Sequence, residues 1–352
     1  MTEPFFLNEL LLVFLLSIII GISFGIPSTI LALKLGIVDV PNSAPHKKHT
    51  RSTPLAGGIL ISFTLLVIAI VFNRLLNSDI LITLLGTSII ILFGVWDDIQ
   101  GLSAVPKLLG QIVASTLLIS FGIQVRFMTN FALQGYLPLA FAETLNILIT
   151  YFWLIGITND LNMIDSMDGI AAGIGVIASL FFMGATILAN QFTLAIWSAV
   201  LLSINISLYF WNGIKSRFFL GDSGAQAIGF LLATIGILYN PLEKNPESSW
   251  IVPIMLLGIP IFDTSLVVLS RFKRKQPIGS GRRDHTYHRL IALGFTPKNA
   301  VILTHIIALG ISCLAYFTLS FTPFLALVVF VTTVVCGIFI LLWLERKPTL
   351  DE

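Results

Sequence analysis

Seven aspartates, Asp97, Asp98, Asp160, Asp165, Asp168, Asp222 and Asp284, stand in short polar gaps of a chain that is otherwise mostly apolar. The gaps that hold them alternate along the sequence, so a membrane-crossing topology gathers them on one face. Short carboxylates at one membrane surface suit a hard cation and a phosphate ligand. Asp97 and Asp98 adjoin at the end of an apolar run, with Gly101 and Lys107 beyond them. Adjacent carboxylates repel unless a cation or a proton lies between them; the plainer alternative is a solvated helix end that turns at Gly101. In Thr158–Ile170, the residues Asn159, Asn162, Asp165 and Asp168 recur every third position. On a helix such spacing makes a drifting stripe of amide and carboxylate oxygens, either a site or a polar seam between helices. In Phe219-Leu220-Gly221-Asp222-Ser223-Gly224 the glycines let backbone approach a ligand, and Asp222 is equally able to cap the helix that follows. His285 and His288 lie three apart in a loop with Arg282, Arg283 and Arg289. Arginine forks and imidazoles suit an anionic diphosphate, and the alternative is an anchor to lipid head groups. The HExxH zinc pattern is absent.

The elements that must position these residues are membrane helices. The chain of 352 residues is 56% hydrophobic and 11% charged, with mean hydropathy +0.95. Soluble domains carry roughly 25% charged residues. Eleven apolar runs are candidate spans: Leu7–Leu33, Leu55–Phe72, Ile80–Val95, Leu108–Val125, Leu145–Ile157, Ile170–Ala189, Phe192–Phe210, Ala225–Tyr239, Ile251–Leu269, Ala300–Leu319 and Pro323–Leu344. The runs Ile80–Val95 and Leu145–Ile157 are short and need flanking residues to cross. With the N-terminus outside, 17 of the 20 Lys and Arg fall on the cytoplasmic side and only Arg74, Arg126 and Lys244 outside, in accord with the positive-inside rule. An odd number of spans puts the C-terminus in the cytoplasm. The expectation is an all-α polytopic membrane protein of about 11 helices, in a single integral-membrane catalytic domain over residues 1–352. Its cytoplasmic loops are expected at about 34–54, 96–107, 158–169, 211–224 and 271–299. Outside, Tyr136-Leu137-Pro138 is expected to form a small hairpin. The first run lacks a basic flank before it and is read as a retained helix. Cys313 and Cys336 are read as small core residues. The net charge of +2 by itself says nothing about partners; the bilayer is the expected partner, and no nucleic acid is expected.

The motifs taken together resemble the polyprenyl-phosphate N-acetylhexosamine-1-phosphate transferase family of bacterial envelope synthesis. The pieces are Asp39-Val40-Pro41, His46-Lys47-Lys48-His49 followed by Pro54 and Gly57-Gly58, Asp97-Asp98 with Leu102 and Lys107, Asn159-x-x-Asn162-x-x-Asp165-x-x-Asp168-Gly169, Phe219-x-Gly221-Asp222-Ser223-Gly224, Pro260-Ile261-Phe262-Asp263-Thr264 and His285-x-x-His288-Arg289-Leu290. The histidine segment resembles the UDP-N-acetylglucosamine branch more than the branch that makes the first lipid intermediate of peptidoglycan. The chain departs from the pattern at His46, Ser52, Ser166 and Tyr287, which bears on sugar specificity more than on the reaction.

The resemblance implies transfer of N-acetylhexosamine-1-phosphate from a UDP-sugar to undecaprenyl phosphate, with release of UMP, in the inner cell membrane with the site facing the cytoplasm. It implies Mg²⁺, with Mn²⁺ as a substitute, held by Asp222 with Asn162. Asp97 or Asp98 would orient or deprotonate the lipid phosphate, and Asp165 would shape the site near the metal. Asn159, Asp168 and Phe219 would bind substrate, the last two at the nucleotide. Lys47, His49 and Lys107 would offset phosphate charge, and His285, His288 and Arg289 would hold the diphosphate or sugar. The product would start a lipid-linked glycan such as a lipopolysaccharide or teichoic acid, and the enzyme could act as a homodimer. Three other classes compete. A CDP-alcohol phosphotransferase would want D-G-x-x-A-R, whereas Asp168-Gly169 continues as Ile170-Ala171-Ala172-Gly173. A membrane prenyltransferase would want two N-D-x-x-D motifs, whereas Asn159-Asp160 is followed by Met163. A lipid or sugar transporter would carry polar groups near the midplane of broken helices.

Overall fold

A computed structural model describes residues 3–40, 52–241, 248–277, 283–347 and 349, with the side chains of residues 3–5, 130 and 131 left aside. The fold is all-α apart from a two-residue ladder. Helix α1 (Glu3–Lys34) leads into β1 (Val38–Asp39), which pairs antiparallel with β2 (Thr53–Pro54). Then come α2 (Gly57–Val71), α3 (Ser78–Gln100), α4 (Ala104–Ser120), α5 (Phe127–Leu133), α6 (Leu139–Ile164), α7 (Ile170–Leu188) and α8 (Phe192–Leu208), which continues as a π-helical turn, Tyr209–Ile214. The chain finishes with α9 (Gly221–Leu238), α10 (Ile251–Leu256), α11 (Gly258–Lys273), α12 (Thr286–Ala292), α13 (Pro297–Thr318) and α14 (Pro323–Glu345).

All eleven apolar runs fall on helices, but only eight helices are long and apolar enough to cross a membrane among the described residues. Helices α2 and α4 are shorter, at 15 and 17 residues. The run Ile251–Leu269 is broken at Leu257 into α10 and α11. The two runs that looked short are not: α3 has 23 residues and α6 has 26, because polar flanks extend both helices. The small hairpin expected outside is instead the short helix α5 followed by a turn into α6. Cys336 lies on an exposed face of α14 rather than in the core.

The ends are set locally. Asn77 caps α3 by accepting the Ile80 N–H at 2.9 Å, and Gly101 closes that helix in the left-handed region (φ 66°). Thr296 and Thr322 cap α13 and α14, each followed by proline at the first helical position. The stripe expected along Thr158–Ile170 is half helical: α6 stops at Ile164, Asp165 is its C-terminal cap, and the chain turns through Gly169 (φ 81°) into α7.

Helix α9 is the packing centre, buried along nearly its whole length. Its start lies against α3 and α2 with almost no side chain between. A Cβ on Gly94 would fall 2.4 Å from the Ser223 Cα, and one on Gly57 would meet the Leu220 carbonyl oxygen at 2.5 Å. Close backbone approach of this kind is how membrane helices gain dispersion contact when water supplies no driving force. Behind it, the segment before α2 adds one parallel bridge, Leu55 to Phe219, so the residues leading into α9 are held by backbone on two sides.

Gly94→Val tests this crossing. Backbone cannot yield as a side chain can, so overpacking should cost about 1–3 kcal/mol, read as a lower Tm in detergent with activity falling in parallel. Gly310→Ala, where a Cβ meets nothing within 4 Å, should leave both unchanged.

Candidate active site

The polar termini of α3, α4, α6 and α9 converge at one end of the bundle. Asp98 does not face a ligand. Its Oδ1 accepts the Asp222 N–H at 2.7 Å, and its Oδ2 accepts the Ser223 N–H at 3.2 Å and the Ser223 hydroxyl at 2.6 Å. It is the cap of α9, supplied from another helix. A carboxylate here satisfies orphan N–H groups and meets the positive end of the helix dipole. That leaves Asp222, the residue expected either to cap α9 or to bind a ligand, free of capping.

Asp222 instead meets Lys107. The ammonium lies 2.6 Å from Asp222 Oδ2 and is also paired with Asp97 Oδ2. One lysine thus bridges two carboxylates from different helices. Asn162 Nδ2 approaches the same Asp222 oxygen at 3.3 Å, and Gln226 Nε2 lies 3.4 Å from it. The other Asp97 oxygen accepts the Leu102 N–H at 2.5 Å, which fixes the carboxylate at the α3 end. Asp165, just beyond α6, is pushed well above the ordinary carboxylate range, first by burial and then by the negative charges of Asp168, Asp222 and Asp98. Asp168 itself is exposed. The cluster therefore carries more carboxylate than its one described lysine offsets, and it favours a proton or a further cation.

Asn159 belongs to a seam one turn deeper. It exchanges hydrogen bonds with Gln111 at 2.8 and 3.1 Å, and Gln111 continues to Gln226 at 3.0 Å. Gln111 and Gln226 were not singled out from sequence. Each lies four residues after a site residue, Lys107 and Asp222, and hence on the same helix face; that spacing was the available signal. Asn212 was also missed. It accepts the Gly169 N–H at 2.7 Å and donates to the Phe218 carbonyl at 3.1 Å, tying the Asp165–Gly169 turn to the strand-like entry of α9. Phe219 contributes its backbone to that entry: its N–H donates to the Pro54 carbonyl at 2.9 Å and its carbonyl accepts the Ala56 N–H at 3.1 Å. Lys47 and His49 lie outside the described residues.

The histidine segment is a buried helix, α12, and not an open loop. His285 Nδ1 lies 2.8 Å from Asp263 Oδ2 on α11. Tyr287, 2% exposed, packs against His288 with ring centroids 4.0 Å apart and planes tilted by 37°. Its hydroxyl lies 2.7 Å from His288 Nε2 and donates to the Ser166 carbonyl at 3.2 Å. Tyr287 thus fastens α12 to the Asp165–Gly169 turn. Burial raises the Tyr287 phenol above its usual range. Burial, with the nearby charges of His285 and Arg283, lowers His288 to about 3, so it is neutral near pH 7. Arg289 is fully buried and points away from the cluster. Its guanidinium donates to the carbonyls of Leu344, Glu345 and Lys347, at 2.8, 3.1 and 2.9 Å, and to the Ser270 hydroxyl at 2.7 Å. These contacts clasp the end of α14, in place of the substrate contact expected for this residue. Arg271 and Asp284 form a buried two-point ion pair at 2.9 Å on both arms. Although burial opposes ionisation of Asp284, Arg271 holds its carboxyl below the ordinary range.

No group of three or more His, Cys, Asp or Glu side chains among the described residues is disposed to hold a metal ion. The donor chemistry still fits Mg²⁺. Asp222, Asp97 and Asn162 offer hard oxygens in one place, and Mg²⁺ commonly takes one or two carboxylates and fills its shell with water and substrate phosphate.

The family model for glycosyl transferase family 4 matches residues 80–240, the stretch from α3 to α9 that builds this cluster. Over 297 residues, 84% of this chain and 81% of the relative, the sequence is 29% identical to a probable undecaprenyl-phosphate N-acetylglucosaminyl 1-phosphate transferase of Bacillus subtilis. It is 26% identical, over 97% of this chain and 90% of the relative, to a decaprenyl-phosphate N-acetylglucosaminephosphotransferase of Mycobacterium tuberculosis. It is also 26% identical, over 75% of this chain and 83% of the relative, to a phospho-N-acetylmuramoyl-pentapeptide-transferase of Lactobacillus gasseri.

The state of His288 makes stability depend on pH. Unfolded, the ring takes a proton near 6.5; folded, it resists until about 3. Between those values the unfolded chain binds more protons, so stability falls as pH drops through that window. Asp284, depressed when folded, adds a further loss only below about 4. Asp165, raised when folded, acts in the opposite sense, so the share of His288 is read by difference: in thermal melts in detergent from pH 7.5 to 4.5, His288→Gln should gain Tm relative to the wild-type protein as pH drops.

Proposed function

We propose that the chain, similar over residues 80–240 to glycosyl transferase family 4, is a multi-pass membrane phosphosugar transferase that transfers N-acetylglucosamine-1-phosphate from UDP-N-acetylglucosamine to undecaprenyl phosphate at the cytoplasmic face of the inner membrane. An oxygen of the lipid phosphate attacks the β-phosphorus of the nucleotide sugar. The bond from that phosphorus to the bridging oxygen breaks, UMP leaves, and the sugar remains on a lipid diphosphate. The names of the Bacillus and Mycobacterium relatives support N-acetylglucosamine, as does the histidine motif. The Lactobacillus relative makes UDP-MurNAc-pentapeptide the donor to test against.

The observation that carries this reading is the Lys107 ammonium bridging Asp97 and Asp222. Phosphoryl transfer asks chiefly for neutralised oxygens and in-line placement. Lys107 offsets charge on the incoming phosphates. Asp97, held by the Leu102 N–H, receives or orients the lipid phosphate; Asp98, committed to the α9 cap, serves by holding Asp222 in place. Asp222 and Asn162 would hold Mg²⁺, which supplies charge neutralisation on the transferred phosphoryl group when bound. Asp165, beside them, takes up a proton or a cation as the charge of the site changes. Asp168 stands at the exposed mouth for the nucleotide, with Phe219 beside the entry of α9. His285 presents its Nε2 edge to the diphosphate. The positive charge of Arg271 and Lys273 in the last turn of α11, and of Arg274 and Lys275 just after it, supports the cytoplasmic orientation.

UMP release from UDP-N-acetylglucosamine and undecaprenyl phosphate, with extraction of the lipid product, tests the reaction. Asp222→Asn should fold yet lose most turnover, since a lost metal contact is worth several kcal/mol and about 1.36 kcal/mol is tenfold in rate. Near-normal turnover by that variant removes Asp222 from the metal site. Preference for UDP-MurNAc-pentapeptide overturns the donor and keeps the reaction.

Orientation has its own test. A single cysteine at Lys275, in a chain freed of Cys313 and Cys336, should resist an impermeant thiol reagent in intact cells and react once they are permeabilised.

A further inference from the structure

Asp263 has no part in the reaction as derived above, yet it is 1% exposed and on α11, a helix that otherwise carries its charge at the far end. Both its oxygens are engaged by the start of α12. Oδ2 accepts from His285 Nδ1 at 2.8 Å, and Oδ1 accepts the Thr286 N–H at 2.7 Å. We propose that Asp263 is a positioning residue that fixes the tautomer and aim of His285, so that Nε2 is the ring nitrogen offered to an anionic substrate phosphate. The proposal rests on the placement of His285 at the diphosphate under the proposed function.

The argument is one of hydrogen-bond accounting. An ionised carboxylate only accepts, so the Nδ1 beside it must carry a proton. The proton of a neutral ring is then spoken for, and Nε2 is left as the second nitrogen. Among the described residues Nε2 makes no hydrogen bond to the protein, whereas Nδ1 is enclosed. When a phosphate oxygen approaches Nε2, the ring takes up a second proton at that nitrogen, from solvent or from the phosphate itself, and donates it in a charge-assisted hydrogen bond, and Asp263 compensates the resulting imidazolium. The Thr286 contact fixes the carboxylate in turn. It ties Oδ1 to the backbone at the first helical residue, so the carboxylate cannot rotate away without exposing a buried N–H.

That second contact also makes the substitution Asp263→Asn informative. The Thr286 N–H needs an acceptor, so the new amide must turn its oxygen to Thr286 and its NH₂ to His285. Nδ1 then has to accept, and the proton moves to Nε2. The variant keeps the volume and the helix contact and inverts the tautomer, a change that packing alone would not produce.

The full-length protein, labelled with ¹⁵N in its histidine rings and held in detergent or nanodiscs, gives the direct test by NMR. Subtraction of the His285→Gln spectrum assigns the His285 signals. The wild-type ring should be in the Nδ1–H form and should shift to Nε2–H in Asp263→Asn. A wild-type ring in the Nε2–H form overturns the proposal, whatever the variant does. Kinetics supply the second arm. Asp263→Asn should lower kcat/KM by about tenfold to a hundredfold, the range for a lost hydrogen bond to a charged group. Combined with His285→Gln, it should add nothing to the loss from His285→Gln alone, because the aspartate acts only through the ring. Additive losses would mark Asp263 as a packing residue and reject the assignment. Absence of transfer by the wild-type protein would instead reject the proposed function, and the tautomer measurement would still judge the Asp263–His285 pair by itself.

Discussion

The cap that Asp98 supplies to α9 is the constraint on which the site depends. A helix that begins inside a membrane bundle has N–H groups that water cannot satisfy. Here a neighbouring helix satisfies them, with one carboxylate taking two backbone N–H groups and a hydroxyl. The contact fixes the register of α9 against α3. Since Asp97 is the next residue on α3 and Asp222 is the residue whose N–H is capped, that register also fixes the distance between the two carboxylates that share Lys107. The glycines at Gly94 and Gly57 serve the same end by removing the side chains that would hold the helices apart. Adjacent aspartates are thus divided between two tasks by geometry: one holds the backbone of the next helix, the other meets Lys107.

A second layer of polar contacts holds this cluster rigid. The seam Asn159–Gln111–Gln226 ends on Asp222, and Asn212 ties the Asp165–Gly169 turn to the strand-like entry of α9. Along this layer neutral amides pair with one another or with backbone, and only its end, Gln226, meets a carboxylate. The charged pair Arg271–Asp284 is kept apart, under α12, where it is buried and its partners do not change.

Much of this was legible in the sequence, and what was not has physical reasons. Hydropathy located each of the eight helices that are long and apolar enough to cross a membrane among the described residues, since a long apolar run has few other fates. It could not say that Ile251–Leu269 breaks at Leu257, because both halves are apolar and the break is a matter of packing. The aspartates of the site were visible as carboxylates in apolar surroundings. Their division of labour was not, since Asp97 and Asp98 have the same chemistry and differ only in the direction of the side chain. Arg289 is a case of misplaced inference: an arginine beside two histidines reads as an anion ligand, but its partners are main-chain carbonyls from residues 344–347, which carry no mark in a sequence. Tyr287 likewise read as an open-loop residue and lies buried as a strut between two turns.

The Arg289 clasp also has a bearing on how the protein is made. The carbonyls it grips begin 55 residues further along the chain. At about 5–20 residues per second, a nascent chain presents this guanidinium for about 3–11 s before its acceptors exist. During that interval the charge has to stay hydrated, because burying it without partners is prohibitive. The docking of the histidine helix therefore waits until α14 has been synthesised, and the carboxylate cluster is braced by that helix only after α14 is made, rather than in step with the insertion of the helices before it.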